Sequence, residues 1–399
     1  MQRYISMASL IVLVSAMAGQ AGTPWTGFRG SNGTGVSEET GLPTKWSKDE
    51  GIRYKVALPG RGLSNPVIAD GRIYVTACSG YRETRLHVLC FEEATGKKLW
   101  ERQFTATGNT GCHPMTNMAA PTPVTDGKEV FCLFATGDMA ALDRAGNLLW
   151  YRSIVGDYPN VSNQVGMASS PTLLGNVILL PMENAADSFI AGLDRKTGKN
   201  LWKLKRPNAI NWTSPFPIPG GLVLFQNASE AAALDPDTGK TRWSVKGNWS
   251  TIPSPVHGEG LVFLTGQEVK AVRPLQDRSE PETVWEGGAI AGGFASPVYH
   301  KGFLYGVTGA AVVALSARDG KEAWRQRIEG PFDGSPIVAD GKLYAVNRKG
   351  RTFVVELGEK PRVIARNDLD DTIITTPAVA NGCLYLRSDK YLYCIGPKK

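Results

Sequence analysis

The sequence predicts an all-β fold: an eight-bladed β-propeller of four-stranded antiparallel blades. Three observations carry this expectation. Pro215, Pro255, Pro297, Pro336 and Pro377 follow one another at spacings of 40, 42, 39 and 41 residues, each preceded by Ser or Thr. A period in this range marks a repeat architecture. Trp202, Trp243, Trp285 and Trp324 keep a similar beat, and three of them stand twelve residues before the next repeat proline. The chain also carries 45 Gly, 25 Pro, 10 Trp, 12 Tyr and 13 Phe in 399 residues, a composition suited to short strands and tight turns.

The elements follow in chain order. Residues 1–22 read as a secretory signal, with Arg3, a short apolar run around Leu10 to Val14, and small residues at Ala16 to Ala21. The run is too short to span a bilayer, so no transmembrane segment is expected after signal removal. Residues 23–50 form an N-terminal extension, and residues 51–399 form the propeller. Blades open at Pro66, Pro121, Pro171, Pro215, Pro255, Pro297, Pro336 and Pro377. Within a unit, a Pro-led first strand meets a turn such as Ala339-Asp340-Gly341, then an alternating strand such as Lys342 to Val346. The third strand ends near a small residue, which leaves space for a neighbouring indole. A turn such as Asp235-Pro236-Asp237-Thr238-Gly239-Lys240 leads to the Trp strand. Small residue and Trp stand ten places apart in Cys90/Trp100, Ala140/Trp150, Gly192/Trp202, Ala233/Trp243 and Ala314/Trp324. The last unit stops after three strands. Tyr54 stands twelve residues before Pro66, as Trp does elsewhere, so Ile52 to Leu58 is expected to complete the last blade. Ala365 takes the Trp place before Pro377.

Charge and cysteines bound the function. A net charge of +7 without a dense basic run does not suggest a nucleic-acid partner. The six cysteines include no C-x-x-C, C-x-x-C-H or Cys-Cys pair, which removes thioredoxin, c-haem and simple zinc-ribbon readings. Cys383 and Cys394 flank the short turn Ser388-Asp389-Lys390 and are expected to face each other as a disulfide.

The A-x-D-x-x-T-G-K-x-x-W pattern, clearest at Ala233 to Trp243, resembles the repeat of pyrroloquinoline-quinone (PQQ) enzymes. It also resembles the propeller of the outer-membrane protein assembly machinery. Trp25 to Gly30, Glu38 to Pro43, Ala119 to Val124, Asp157 to Asn160 and Asn211 to Pro215 are similar to exported PQQ-like propellers of planctomycete-type bacteria. The quinone-enzyme resemblance would imply PQQ held with calcium by Glu, Asn and Asp, and a Cys-Cys disulfide over the cofactor. No Cys-Cys occurs here and no motif places the calcium set.

The irregular repeats point to the site. The Trp-to-Pro gap is 21 residues for Trp100/Pro121 and Trp150/Pro171 instead of twelve. Longer hairpin connections at Ser79 to Arg85 and Glu183 to Ser188 fall in the same early blades, so four enlarged loops crowd one face. Insertions on one face of a repeat fold usually mark its binding face. Arg82, His113, Asn163 and Glu183 from those loops, with Arg61, Asn211 and Trp212, which immediately precede first strands, are expected to line one pocket at the funnel mouth. No residue takes a catalytic role and no metal site is assigned. The sequence reads as a periplasmic or secreted, non-catalytic propeller that binds a protein, glycan or small-molecule partner. The alternative is a PQQ-dependent dehydrogenase-like or other small-molecule enzyme.

Overall fold

A computed structural model describes residues 23–162, 165–276, 278–288, 290 and 293–397. The proposed signal segment lies outside them. Eight antiparallel meanders are arranged around one axis. Blade 1 comprises Val67–Ala69, Arg72–Ser79, Arg85–Glu92 and Lys98–Thr105. Blades 2 to 7 repeat the pattern, and blade 7 ends with Arg362–Asp368. Blade 8 takes Ala378–Ala380, Cys383–Arg387 and Tyr391–Ile395 from the C-terminus, and Ile52–Ala57 as its outer strand. Tyr54 lies opposite Cys394, so the expected closure by an N-terminal strand is present.

The Trp positions join neighbouring blades. Trp202 lies opposite Gly192 in its own blade, where a Cβ would sit 2.3 Å from the indole nitrogen. The small residue thus makes room for its own blade's indole, not for a neighbour's. The indole then leans over the next blade's turn. There Gly239, at φ +70°, would bring a Cβ within 2.6 Å of the ring, and Trp202 Nε1 donates to Pro236 O at 2.8 Å. Trp100, Trp150 and Trp285 make the same bond to Arg144, Arg195 and Ala317. Tyr54 substitutes faithfully, with its hydroxyl donating to Glu93 O at 2.7 Å. In blade 2 the turn is one residue shorter, so Trp150 pairs with Ala141 and not Ala140.

A second set of bonds runs around the axis. The residue before each opening proline accepts, through its side chain, the backbone N–H of the corresponding residue in the preceding blade. Asn65 N donates to Thr122, Thr122 to Ser170, Ser170 to Ser214 and Ser214 to Ser254. Ser254 donates to Ser296, Ser296 to Ser335, Ser335 to Thr376, and Thr376 to Asn65 Oδ1. All eight distances lie between 2.9 and 3.0 Å, and the ring closes on itself. Proline explains the conservation of shape around the ring. It holds its predecessor extended, so each predecessor's N–H points sideways at the neighbour instead of entering a helix or turn. Thr122 belongs to this ring, so blade 2 opens at Pro123 and not at Pro121.

The extension is a strap across the opposite end of the channel from the inserted loops. Trp25 exchanges backbone bonds with Ile68 of blade 1, and Thr26 O accepts from Thr125 of blade 2. Gly33 meets Phe216 of blade 4. Val36–Ser37 adds a parallel strand to Ile337–Ala339 of blade 7. Glu39 accepts from Gly382 of blade 8, and Trp46 N donates to Asn367 Oδ1 at the outer edge of blade 7. The chain then enters the outer strand of blade 8.

Cys383 and Cys394 do not face each other. The turn is the two-residue Asp389-Lys390, closed by Ser388 N–H to Tyr391 O. Cys394 therefore pairs with Tyr385, and Cys383 sits diagonally on the same face. Both are buried thiols in this structure. Diagonal Cα atoms in a sheet are about 7–8 Å apart, beyond the usual disulfide span.

Two outcomes test this fold. Ser254→Ala leaves the Ser214 N–H buried without an acceptor and should cost about 1–3 kcal/mol in urea unfolding. Ser254→Thr should cost much less, because Thr already serves at positions 122 and 376; equal losses would contradict the ring. Deleting residues 45–60 should bare the edge of Tyr391–Ile395 and cause aggregation in sedimentation runs. An unchanged melting temperature would refute closure by this strand.

Candidate functional site

The axial channel contains a cavity of ≈ 330 Å³. Its floor is the polar ring, represented by Asn65, Thr122, Ser170, Ser214, Ser296, Ser335 and Thr376. Phe28 of the strap closes it from below. Its walls are mostly apolar: Leu63, Met115, Val165, Trp212, Ile252 and Phe294.

The inserted loops form the roof. His113 N donates to Val165 O at 3.3 Å, so the two insertions meet over the mouth. Met115 reaches Arg348 of blade 7, with its sulfur 4.0 Å from the guanidinium. Arg61 braces the first loop by donating to Pro114 O at 3.2 Å. His113 Nδ1 accepts from Met115 N–H at 3.2 Å, which fixes the ring against its own loop.

The expected site residues separate into groups. His113 and Trp212 both line the cavity. Trp212 is held by its Nε1 donating to Gly166 O at 2.8 Å. Asn163 lies outside the described residues. Arg61 is at the rim, paired with Glu83 at 2.9 Å and Asp389 at 3.3 Å. Arg82 is exposed on the turn Tyr81–Glu83, 5.4 Å from the Tyr81 ring centroid, and does not line the cavity. Glu183 and Asn211 are also absent from the cavity wall. They belong to a buried cluster in which Glu183 accepts from Arg206, Asn211 and Asn227 at 2.9, 2.6 and 2.8 Å. An ion pair buried this deeply depends on its donors, so the cluster ties blades 3 and 4 together.

Residues that sequence reasoning missed come from four places. Asn65 and the ring hydroxyls carried a visible signal, the Ser/Thr-Pro repeat, but not its meaning. Phe28 and Arg29 arrive from the strap. Phe294 is 42% exposed at the cavity mouth. Asp333 lines the wall and is held by Arg348 through both oxygens, at 2.7 and 2.8 Å. Elsewhere, Ser79 Oγ, His87 and Glu101 form a chain with 2.7 and 2.8 Å spacings. The order is that of an acyl-transfer triad, but His87 is buried and none of the three lines the axial cavity.

A family model described as "Outer membrane protein assembly factor BamB" matches residues 17–185, 186–277 and 265–360. The chain belongs to this family. The BamB of Moraxella catarrhalis superimposes with a TM-score of 0.62 at 16% identity, covering 86% of this chain and 97% of that one. A europium-containing methanol dehydrogenase gives 0.66 at 14% identity, covering 91% and 89%. The quinohemoprotein alcohol dehydrogenase of Comamonas testosteroni gives 0.69 at 14% identity, covering 94% and 81%. These three likenesses establish the fold. Tetrathionate hydrolase of Acidithiobacillus ferrooxidans is 24% identical over 287 residues, 65% of this chain. The match takes in 53% of that protein, so the chain spans about half the length of this relative.

The donor set does not fit a quinone held by calcium. Among the described residues, the one carboxylate on the cavity wall, Asp333, is committed to Arg348. Among the described residues, no three His, Cys, Asp or Glu side chains cluster as metal ligands.

The buried cluster gives a direct test. Glu183→Ala should destabilise the fold by about 1–3 kcal/mol, because it leaves buried donors of Asn211 and Asn227 short of an acceptor and Arg206 with Glu230 as its remaining carboxylate. Urea unfolding reads this, and a stable variant with altered ligand binding would return Glu183 to the binding site.

Proposed function

We propose that this protein is an exported, non-catalytic propeller that binds a small-molecule partner in its axial funnel. The observation that carries the reading is the cavity itself. A volume of ≈ 330 Å³ falls within the range of small-molecule sites, with mostly apolar walls and a few convergent polar groups. The strap closes one end and the inserted loops narrow the other, so a ligand enters from the loop face. Trp212 and Phe294 supply aromatic surface, and His113 supplies a polar group at the mouth.

The polar groups around the cavity suit holding better than reaction. Asp333 is paired, His113 is fixed by its own loop, and the ring hydroxyls have no general base beside them. A small-molecule enzyme of the kind named among the relatives would use the same funnel, and it makes a different prediction.

The test uses N-phenyl-1-naphthylamine, an uncharged aromatic probe whose fluorescence rises in apolar surroundings. The full chain should bind it, and Trp212→Leu should weaken binding at least tenfold, ~1.4 kcal/mol. Unchanged affinity in a folded variant would place the site elsewhere. Adding PQQ and calcium should produce no bound-quinone absorbance and no alcohol oxidation; either signal would establish the enzyme reading.

A further inference from the structure

Among the described residues, the ring carries donors with no acceptor in the protein, and all of its members but Ser254 line the cavity floor. Thr122, Ser170, Ser214, Ser254, Ser296, Ser335 and Thr376 each use a hydroxyl oxygen to accept a backbone N–H. A hydroxyl also has one proton to give. Among the described residues, none of these seven protons goes to a protein acceptor. Asn65 repeats the arrangement with an amide. Its Oδ1 accepts from Thr376, while its Nδ2 has no partner although the residue is only 2% exposed. An unsatisfied buried amide is costly to a fold, and Asn65 is one of the residues lining the cavity.

A positive charge lies just below. Arg29, 1% exposed, donates to the carbonyls of Thr34, Pro255 and Pro297. Pro255 and Pro297 directly follow ring members Ser254 and Ser296. No carboxylate is among the partners of Arg29, and its Nε has none at all. Burial lowers its pKa to about 9, which still leaves it charged at neutral pH. With burial as the larger cause, its field also lowers the pKa of His257. Among the described residues, the one carboxylate on the cavity wall, Asp333, is neutralised by Arg348.

We propose that the axial cavity selects an amphipathic anion, a carboxylate or sulfonate on an apolar body. The anionic group is held on the axis by the ring hydroxyls and the Asn65 amide. The apolar body lies against Trp212, Phe294 and Ile252. Oxyanions are matched to this floor because they accept several hydrogen bonds and donate none. A cation meets the field of Arg29 and a surplus of donors. This inference rests on the funnel being the ligand site and names the class of ligand it takes.

The experiment compares two probes with nearly the same aromatic body on the full chain. 8-Anilinonaphthalene-1-sulfonate carries the anion, and N-phenyl-1-naphthylamine lacks it. The wild type should bind the sulfonate at least tenfold more tightly at physiological salt. Asn65→Asp keeps an oxygen for the Thr376 N–H, so the ring stays closed, but it replaces the free donor by a second oxygen. In that variant the tenfold preference should disappear. Equal affinities in the wild type, or a preference that survives Asn65→Asp, would overturn the anion site and leave the funnel reading intact. Failure of both probes to bind would overturn the funnel reading and this inference with it.

Discussion

The structure depends on a closed circle of eight hydrogen bonds around the channel, one from each blade to the next. Blades converge there without a shared ladder, so the backbone N–H groups would be buried with no partner. A side-chain oxygen from the neighbour solves this, and the following proline fixes the direction. Each bond is worth only about 0.5–1.5 kcal/mol net, but an omitted one leaves a buried donor at greater cost. The outer contacts show which circle is indispensable. The indole-to-turn bond is absent where Trp243 and Trp324 have no partner for Nε1, and where Ala365 has no ring to offer. Five of eight outer links remain, whereas the inner circle has no gap.

The strap and the ring together define the site. A bare eight-bladed propeller has an open axial channel. Here residues 25–37 cross it, place Phe28 as a floor and anchor Arg29 on carbonyls of the innermost strands. The same segment continues to the outer strand of blade 8, so ring closure and channel closure are one event in the chain. The inserted loops of blades 1–3 then cover the other end through the contact of His113 with Val165. Function follows as a consequence of fold construction. Six of the seven hydroxyl residues that hold the blades together also form the polar floor of a mostly apolar funnel.

Much of this was legible in the sequence. The repeat gave blade number, the place of Tyr54 and the face that carries the insertions, because each rests on local spacing. His113 was placed by those insertions and Trp212 by its position just before a first strand, and both line the cavity. The misplacements have a common cause: lateral partners are not encoded in spacing. Ala120-Pro121-Thr122-Pro123 offers two prolines, and only the ring partner Ser170 shows that Thr122 is the functional one. Glu183 and Asn211 had the right loop positions, but Glu183 accepts from Arg206, Asn227 and Asn211 itself, away from the cavity wall. Cys383 and Cys394 were misaligned by one ambiguous turn residue, which moves a facing pair to a diagonal one. Arg29 was not singled out because two of its three carbonyl partners lie more than two hundred residues away in the chain.

Native-state hydrogen exchange of the ring amides tests the central claim most directly. If the circle is the constraint that holds eight blades as one body, the N–H groups of Asn65, Thr122, Ser170, Ser214, Ser254, Ser296, Ser335 and Thr376 should exchange only through global unfolding. Their opening free energies should coincide with one another and with the unfolding free energy of the chain. Amides of one or two blades that open at clearly lower free energy, while the rest stay protected, would contradict it and make the blades independent units.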